Sequence, residues 1–561
     1  PNTPYRPRSR TMSRHHTAAP ADLVVRRARI HTVDPLLPEA QAMAVTGGRI
    51  VWLGDDADAA AWTGPLTRTL DAEGKLVLPG FIDAHNHVRL GSDDASVQLA
   101  GADTLDEVHA RIRDWRAAHP DAEWIEGEAF DYSALGGRLP TTADLDPVTG
   151  DTPAFVLSYD VHTAWLNTAA LRRLGISADR TRLPFGTAHT DPETGRPTGL
   201  IKDFAVQGLS RDGHRALRDL GVPWASTERQ YRRLAKSLDD AIGYGITTVV
   251  EPQNSLDDLA LFERARHEGR LRSRLVAALF HPRGTTDGDL DDFAAAAGRY
   301  ADDRLRVGPL KLYIDDVVEP RTAALLEPYA GCRHSGDTYY PPAEFADLLA
   351  KLDARGFQCF VHATGDRGIR VALDAFAYAR QVNGARDARH QIVHVECLDP
   401  ADTARFAELG VVACMQPRHC APDVAGPGKD WAENVGPDRW TKAWPMRSLH
   451  AAGAALAFSS DWNVAEMDPM TGIYTAVTRR PLDGGEPWMP EETVDVETAV
   501  HGYTMGSAYA NFLENERGSL TVGKAADFVI LSRDILRVPA ADIPGTVAQT
   551  VVVDGEVAHS R

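Results

Sequence analysis

The alternation of apolar and polar positions gives the chain two textures. Near its ends it reads as short strands: ADLVVRRARI, AMAVTGGRIVWLGD and TRTLDAEGKLVLPG early, KAADFVILSRD and TVAQTVVVDGEVAHS late. Turn signals at Gly47-Gly48, Asp71-Ala72-Glu73-Gly74 and Asp554-Gly555 punctuate them. Between these ends, apolar strands recur with helical stretches in between. The strand candidates are PGFIDAHNH, ITTVVEP, RLVAALF, GPLKLYID, FQCFVHA, QIVHVE, VVACMQP and ALAFSSD. Ser226-Thr227 opens a helix with Tyr231, Leu234, Leu238 and Ile242 on one face, stopped by Gly243 and Gly245. Eight apolar strands spaced by helices predict a (β/α)8 barrel, an α/β fold whose site sits at the C-terminal strand ends. The predicted organisation is a flexible tail over 1–20, a small β-sandwich domain composed of 21–78 plus 521–561, and a barrel over 79–520. An insertion over about 90–225, with its own strands AEWIEGEAF and AFVLSYD, follows strand 1.

Composition narrows the class. The chain has 561 residues, too many for one compact core, and its 43% hydrophobic and 25% charged residues are ordinary for a globular protein. A formal charge of -19 argues against nucleic acid and anionic membrane as partners, since both need a basic surface. Arg6, Arg8, Arg10 and Arg14 lie among Pro, Ser and Thr with no apolar run of signal-peptide length. Cys332, Cys359, Cys397, Cys414 and Cys420 are odd in number with no CxxC pair, so a cytoplasmic location with reduced thiols is expected.

The candidate chemistry sits at the strand ends. His85 and His87 close strand 1, and in a strand alternate residues face the same way, so two imidazoles converge as a zinc-type metal requires. Lys311 lies in strand 4, while His362, His394 and Asp461 end strands 5, 6 and 8. Singly, each has an ordinary structural role open to it: a snorkelling lysine, hydrogen-bonded core histidines, a capping aspartate. Jointly, at one barrel mouth, they point to a site.

The landmarks PGFIDAHNH, SYDVHTAWLNTAAL, KLYIDDVVEPRTAALLEPY, HATGDRG, HVECLDPADTARFAELGVVACMQP, AFSSDW and GSLTVGKAADFVIL resemble the amidohydrolase superfamily. The similarity is to its YtcJ-like branch, amidohydrolase family 3, which includes N-substituted formamide deformylase. The resemblance implies a metal-dependent hydrolase that cleaves an amide-type C–N bond, in an N-acyl or N-formyl amine, by a metal-activated hydroxide. It implies two Zn2+ ions, with His85 and His87 on one, His362 and His394 on the other, and a carbamate of Lys311 bridging them. Asp461 would touch the metal and act as the catalytic proton carrier. Departures from the branch pattern are Asp315-Asp316 where a Gly commonly follows the Asp, Val393 in place of a Glu, and Asn463 in place of a Pro. The alternative for Lys311 is an ammonium paired with Asp315 or Asp316.

Substrate contacts are expected from Asp160, His162, Trp165 and Asn167 in the insertion, which in the resembling branch caps the barrel mouth. Gln416 and His419 after strand 7 are expected to face the same pocket, and Trp431, Trp440, Trp444 and Trp462 are dense enough to shape an apolar one. The partner is a small-molecule amide, and a homodimer is among the assemblies considered. Two other classes stay open: a deaminase or cyclic-amide hydrolase of the same superfamily, and a non-catalytic binding protein on this fold.

Overall fold

The computed structural model describes residues 19–91, 95–136 and 138–561. The expected tail over 1–20 falls, through residue 18, outside them.

Eight parallel strands form the central sheet: β1 (Phe81–Asp83), β2 (Ile246–Asn254), β3 (Arg274–Phe280), β4 (Leu305–Tyr313), β5 (Cys359–Ala363), β6 (Gln391–His394), β7 (Val412–Met415) and β8 (Leu456–Phe458). Each pairs with its sequence neighbour, and β1 meets β8 through Ala84 N–H donating to the Phe458 carbonyl at 3.3 Å, which closes the barrel. Alternation along the strands sorts the apolar side chains. Ile82, Val250, Val276, Phe360, Val393 and Val412 fill the interior, while Val249, Leu275, Val361 and Ile392 face the surrounding helices.

The helices obey the 3.6-residue period. α1 (Thr227–Gly243) buries Tyr231, Leu234, Leu238 and Ile242 and ends just before Gly245, whose φ of +82° favours glycine. α2 (Asp366–Asn383) buries Ile369, Leu373 and Phe376 in the same way. Each large apolar side chain removed from water contributes roughly 1.5–3 kcal/mol before entropy is charged.

The stretch LVLPGFIDAHNHV is divided between two sheets. Leu76–Pro79 pairs with Phe528–Leu531 in a six-stranded sheet drawn from both ends of the chain, and β1 begins only after Gly80. A Cβ on Gly80 would lie 2.3 Å from the Thr247 side chain, so the crossing between sheets needs glycine there. A four-stranded sheet of residues 23–71 packs on the six-stranded one through Val25, Met43, Val77, Phe528 and Val552. This is the small β-sandwich unit. Arg274, at the start of β3, is buried against it, bonded to Asp527 at 2.7 Å and Asp303 at 2.6 Å and paired with Asp554. The insertion after β1 folds into a seven-stranded sheet of its own, with apolar cores around Phe155 and Phe204 and around Phe130 and Trp165.

Candidate active site

His85 and His87 lie beyond the last residue of β1, so strand alternation is not the sole cause of their convergence. The pairing with β8 continues past both strands: Asp461 N–H donates to His85 O at 2.9 Å, and His87 N–H to Trp462 O at 2.6 Å. This backbone clamp brings His85 Nε2 to 3.5 Å and His87 Nε2 to 3.3 Å from Asp461 Oδ1. On the other side of the carboxylate, His394 Nδ1 lies 3.7 Å and His419 Nε2 4.0 Å from Asp461 Oδ2. Asp461 and His394 hold left-handed backbone conformations, φ +57° and +82°, which non-glycine residues adopt at a cost of roughly 1–3 kcal/mol.

Lys311 is fully buried, its Nζ 3.4 Å from His85 Nε2. Neither Asp315 nor Asp316 is its partner. Asp315 accepts backbone N–H groups of Ala324, Thr364 and Gly365, and Asp316 is bonded by His162 Nδ1. His362 stands apart from the two tightest groupings, its Nε2–H donating to the Asp316 carbonyl at 3.1 Å and its ring centroid 4.5 Å from that of His394.

Electrostatics favour the ligand forms. Burial holds His85, His362 and His394 well below the usual imidazole range, so they are neutral with lone pairs to give. Burial brings the Lys311 ammonium down to about 8. Burial alone would raise Asp461, but His87 beside it and the nearby His394 and His85 hold its carboxyl well below the ordinary range. Four buried atoms in this cluster make no protein hydrogen bond: His85 Nδ1, His87 Nδ1, His419 Nε2 and Asp461 Oδ1. Buried polar atoms are normally satisfied, so such a concentration of them marks a place where something else binds. His85, His87 and Asp461 form one compact set of ligand atoms, and His394, His419 and Asp461 another. These residues fit divalent ions. A pocket of about 30 Å³ among Lys311, His87, His362, His394 and Asp461 leaves room at their centre.

The cluster opens on a cavity of about 350 Å³. Asp160, His162 and His419 line it. Asp160 accepts Tyr132 O–H at 3.3 Å and His162 N–H at 3.0 Å. Burial would lower the His162 imidazole, but Asp316 pushes it up to about 9. Trp165, Asn167 and Gln416 are not on the cavity wall. Trp165 is 1% exposed, tilted against Phe130 in the insertion core, with its Nε1–H donated to Thr141 O at 2.8 Å. Asn167 caps the helix Thr168–Leu174, its Oδ1 accepting Ala170 N–H in the first turn and Ala154 N–H from the strand Ala154–Ser158. Gln416 acts at one remove: its Oε1 accepts His394 Nδ1–H at 2.9 Å, leaving Nε2 as the lone-pair nitrogen of that ring.

Three acids were not singled out from the sequence. Glu251, buried in β2, lies 3.8 Å from His87 Nδ1, and the signal for it was a charge inside the apolar run ITTVVEP. Glu319 and Glu396 line the cavity. Burial pushes Glu319 up to about 8 and Glu396 well above the usual carboxylate range.

Comparison with known proteins places this architecture. The model of the amidohydrolase family matches residues 68–559, most of the chain. The chain belongs to that family. Among curated relatives, Protein LONG AFTER FAR-RED 3 of Arabidopsis thaliana is 30% identical over 95% of this chain and 91% of that protein. N-substituted formamide deformylase of Arthrobacter pascens is 28% identical over 96% of this chain and 98% of its own. The crystal structure of an uncharacterized metal-dependent hydrolase from Pyrococcus furiosus superposes with a TM-score of 0.68 at 25% identity, covering 92% of this chain and all of that one. The family inferred from the sequence landmarks and the family found by comparison are the same, and the chain is a hydrolase built on the amidohydrolase barrel.

Proposed function

We propose that the protein is a metal-dependent hydrolase of an amide-type carbon–nitrogen bond, in an N-acyl or N-formyl amine. The observation that carries this is the set of buried histidine and aspartate atoms without protein hydrogen bonds at the barrel mouth, opening on a cavity large enough for a small molecule. The formamide deformylase relative, matched end to end, supports the bond class.

His85, His87, His394 and Asp461, with His362 or His419, would hold two divalent ions, zinc by the ligand types. When bound, such ions supply Lewis acidity, bringing the pKa of water to roughly 7 and polarising an acyl oxygen. The protein's own part is positional and protonic. Asp461 Oδ1, without a protein hydrogen bond, accepts the proton of the attacking water and returns it to the leaving nitrogen, which cannot depart as an anion. His162, with Nδ1 committed to Asp316, presents its other nitrogen to the substrate. Gln416 fixes the tautomer of His394.

Lys311 enters as a carbamate. A cation facing divalent ions would be repelled, whereas a buried amine with its ammonium brought down to about 8 has a neutral fraction that adds carbon dioxide. The lack of an ion pair to Asp315 or Asp316 supports this reading. The test is a screen of N-formyl, N-acyl and cyclic amides with metal-loaded protein, repeated after stripping and reloading metal with and without bicarbonate. Release of a free amine, recovered faster with bicarbonate in wild type than without, is expected. Ammonia release from heterocycles with no amide turnover would point instead to a deaminase.

A further inference from the structure

The outer wall of the cavity carries two acids that the proposed chemistry at the strand ends does not use. Glu396 is 7% exposed and lines the cavity. Its Oε2 accepts Trp431 Nε1–H at 2.9 Å, which leaves Oε1 without a protein hydrogen bond. Glu319 lines the same wall, within electrostatic reach of Glu396. Among the described residues no lysine or arginine forms an ion pair with either. Arg418, the buried cation of the wall, is already committed to Asp423 at 2.6 Å and Glu466 at 2.9 Å. Lys429 also lies on the lining, itself beside Asp430, and His162 is committed to Asp316.

Two buried acids on one cavity wall with no basic side chain paired to them are an arrangement that a cationic ligand completes. A second feature points the same way. Tyr159 and Trp444 stand on the wall with the two acids, and aromatic faces attract cations while giving nothing to anions.

We propose that this wall is a cation subsite: the substrate amide carries a second, positively charged nitrogen, an ammonium or guanidinium, held by Glu319 and Glu396 against Tyr159 and Trp444. This rests on the hydrolytic reading above for the bond that is cut, and not for the charge that is bound. The acids would bind the far end of the substrate while its amide reaches the Asp461 cluster. Neutral substrates of the same length lose that anchor.

The experiment pairs N-formyl-1,5-diaminopentane with its neutral isostere N-formylhexylamine on the metal-loaded enzyme, and measures binding of n-pentylammonium and n-pentanol by calorimetry. Wild type is expected to favour the diamine derivative by about 10-fold or more in kcat/KM, as a desolvated charge contact supplies. Glu319→Gln and Glu396→Gln, isosteric and checked for folding by circular dichroism, should each reduce that ratio by about 10-fold. Equal kcat/KM for the two substrates in wild type, or variants that slow both substrates alike, would overturn the subsite. The binding arm needs neither turnover nor a variant. If no amide is hydrolysed yet n-pentylammonium binds more tightly than n-pentanol and loses that margin in Glu396→Gln, the bond assignment fails and the cation subsite stands. If n-pentylammonium shows no advantage over n-pentanol, the subsite is wrong whatever the enzyme hydrolyses.

Discussion

Asn167 in the insertion and Asp461 at the end of β8 are both buried polar residues, and they differ in how they are satisfied. Asn167 Oδ1 accepts Ala154 N–H at 2.9 Å and Ala170 N–H at 2.8 Å, and its Nδ2 donates to Thr149 Oγ1 at 2.8 Å and Thr152 O at 2.9 Å. Every bond it can make is made within the insertion. Asp461 has an oxygen with no hydrogen bond, amid histidine nitrogens equally unsatisfied. Burial alone therefore does not separate structure from function. The difference lies in whether the fold supplies the partners or leaves them to a ligand.

The largest effect that would sharpen this contrast is on turnover. Asp461→Asn keeps the size of the side chain but removes its basicity, and should lower kcat by roughly 10²-fold or more while the circular dichroism spectrum and most of the metal are retained. Turnover close to wild type would move the proton to another group and weaken the contrast at its functional end.

Asn167→Ala should do the opposite. Two backbone N–H groups and a threonine hydroxyl lose their partner inside the insertion, so stability should fall by about 2 kcal/mol in chemical denaturation with little change in kcat. A change in the ranking of amide substrates at unchanged stability would make Asn167 a substrate residue after all.

The smallest effect is a pH dependence in the same insertion. Burial would raise Asp144, but the bonds from Arg138 and Thr141 hold it below the ordinary carboxylate range. A carboxylate depressed in the folded state contributes stability above its unfolded pKa, about 3.9, and that contribution is lost as pH falls through the folded value. Between pH 5 and pH 3 the denaturation midpoint of wild type should therefore fall further than that of Asp144→Asn. Equal falls would show that Asp144 gains nothing from its bonds.

The same contrast explains what was legible from the residues alone. The eight strands, the buried face of α1 and the grouping of His85, His87, Lys311, His394 and Asp461 could be read because strand and helix periods and strand-end positions are written locally. The motif SYDVHTAWLN misled in its second half. Asp160 and His162 reach the cavity, but the chain then enters the strand Ala164–Leu166, which sends Trp165 into the insertion core and leaves Asn167 as a helix cap. Spacing along ten residues cannot tell those outcomes apart. Nor could it show that His419 would sit closer to Asp461 and His394 than a loop position suggests, or that Glu319 and Glu396 would share one wall, because both depend on how loops from different strands close over the barrel.

The central claim is that the unsatisfied atoms at the strand ends belong to a metal centre that performs hydrolysis. Elemental analysis of protein purified without chelator, coupled to amide turnover before and after chelation, tests it most directly. The account predicts about two divalent ions per chain, loss of turnover on chelation and recovery on re-adding zinc. Metal-free protein that hydrolyses amides at an undiminished rate in the presence of chelator would contradict it.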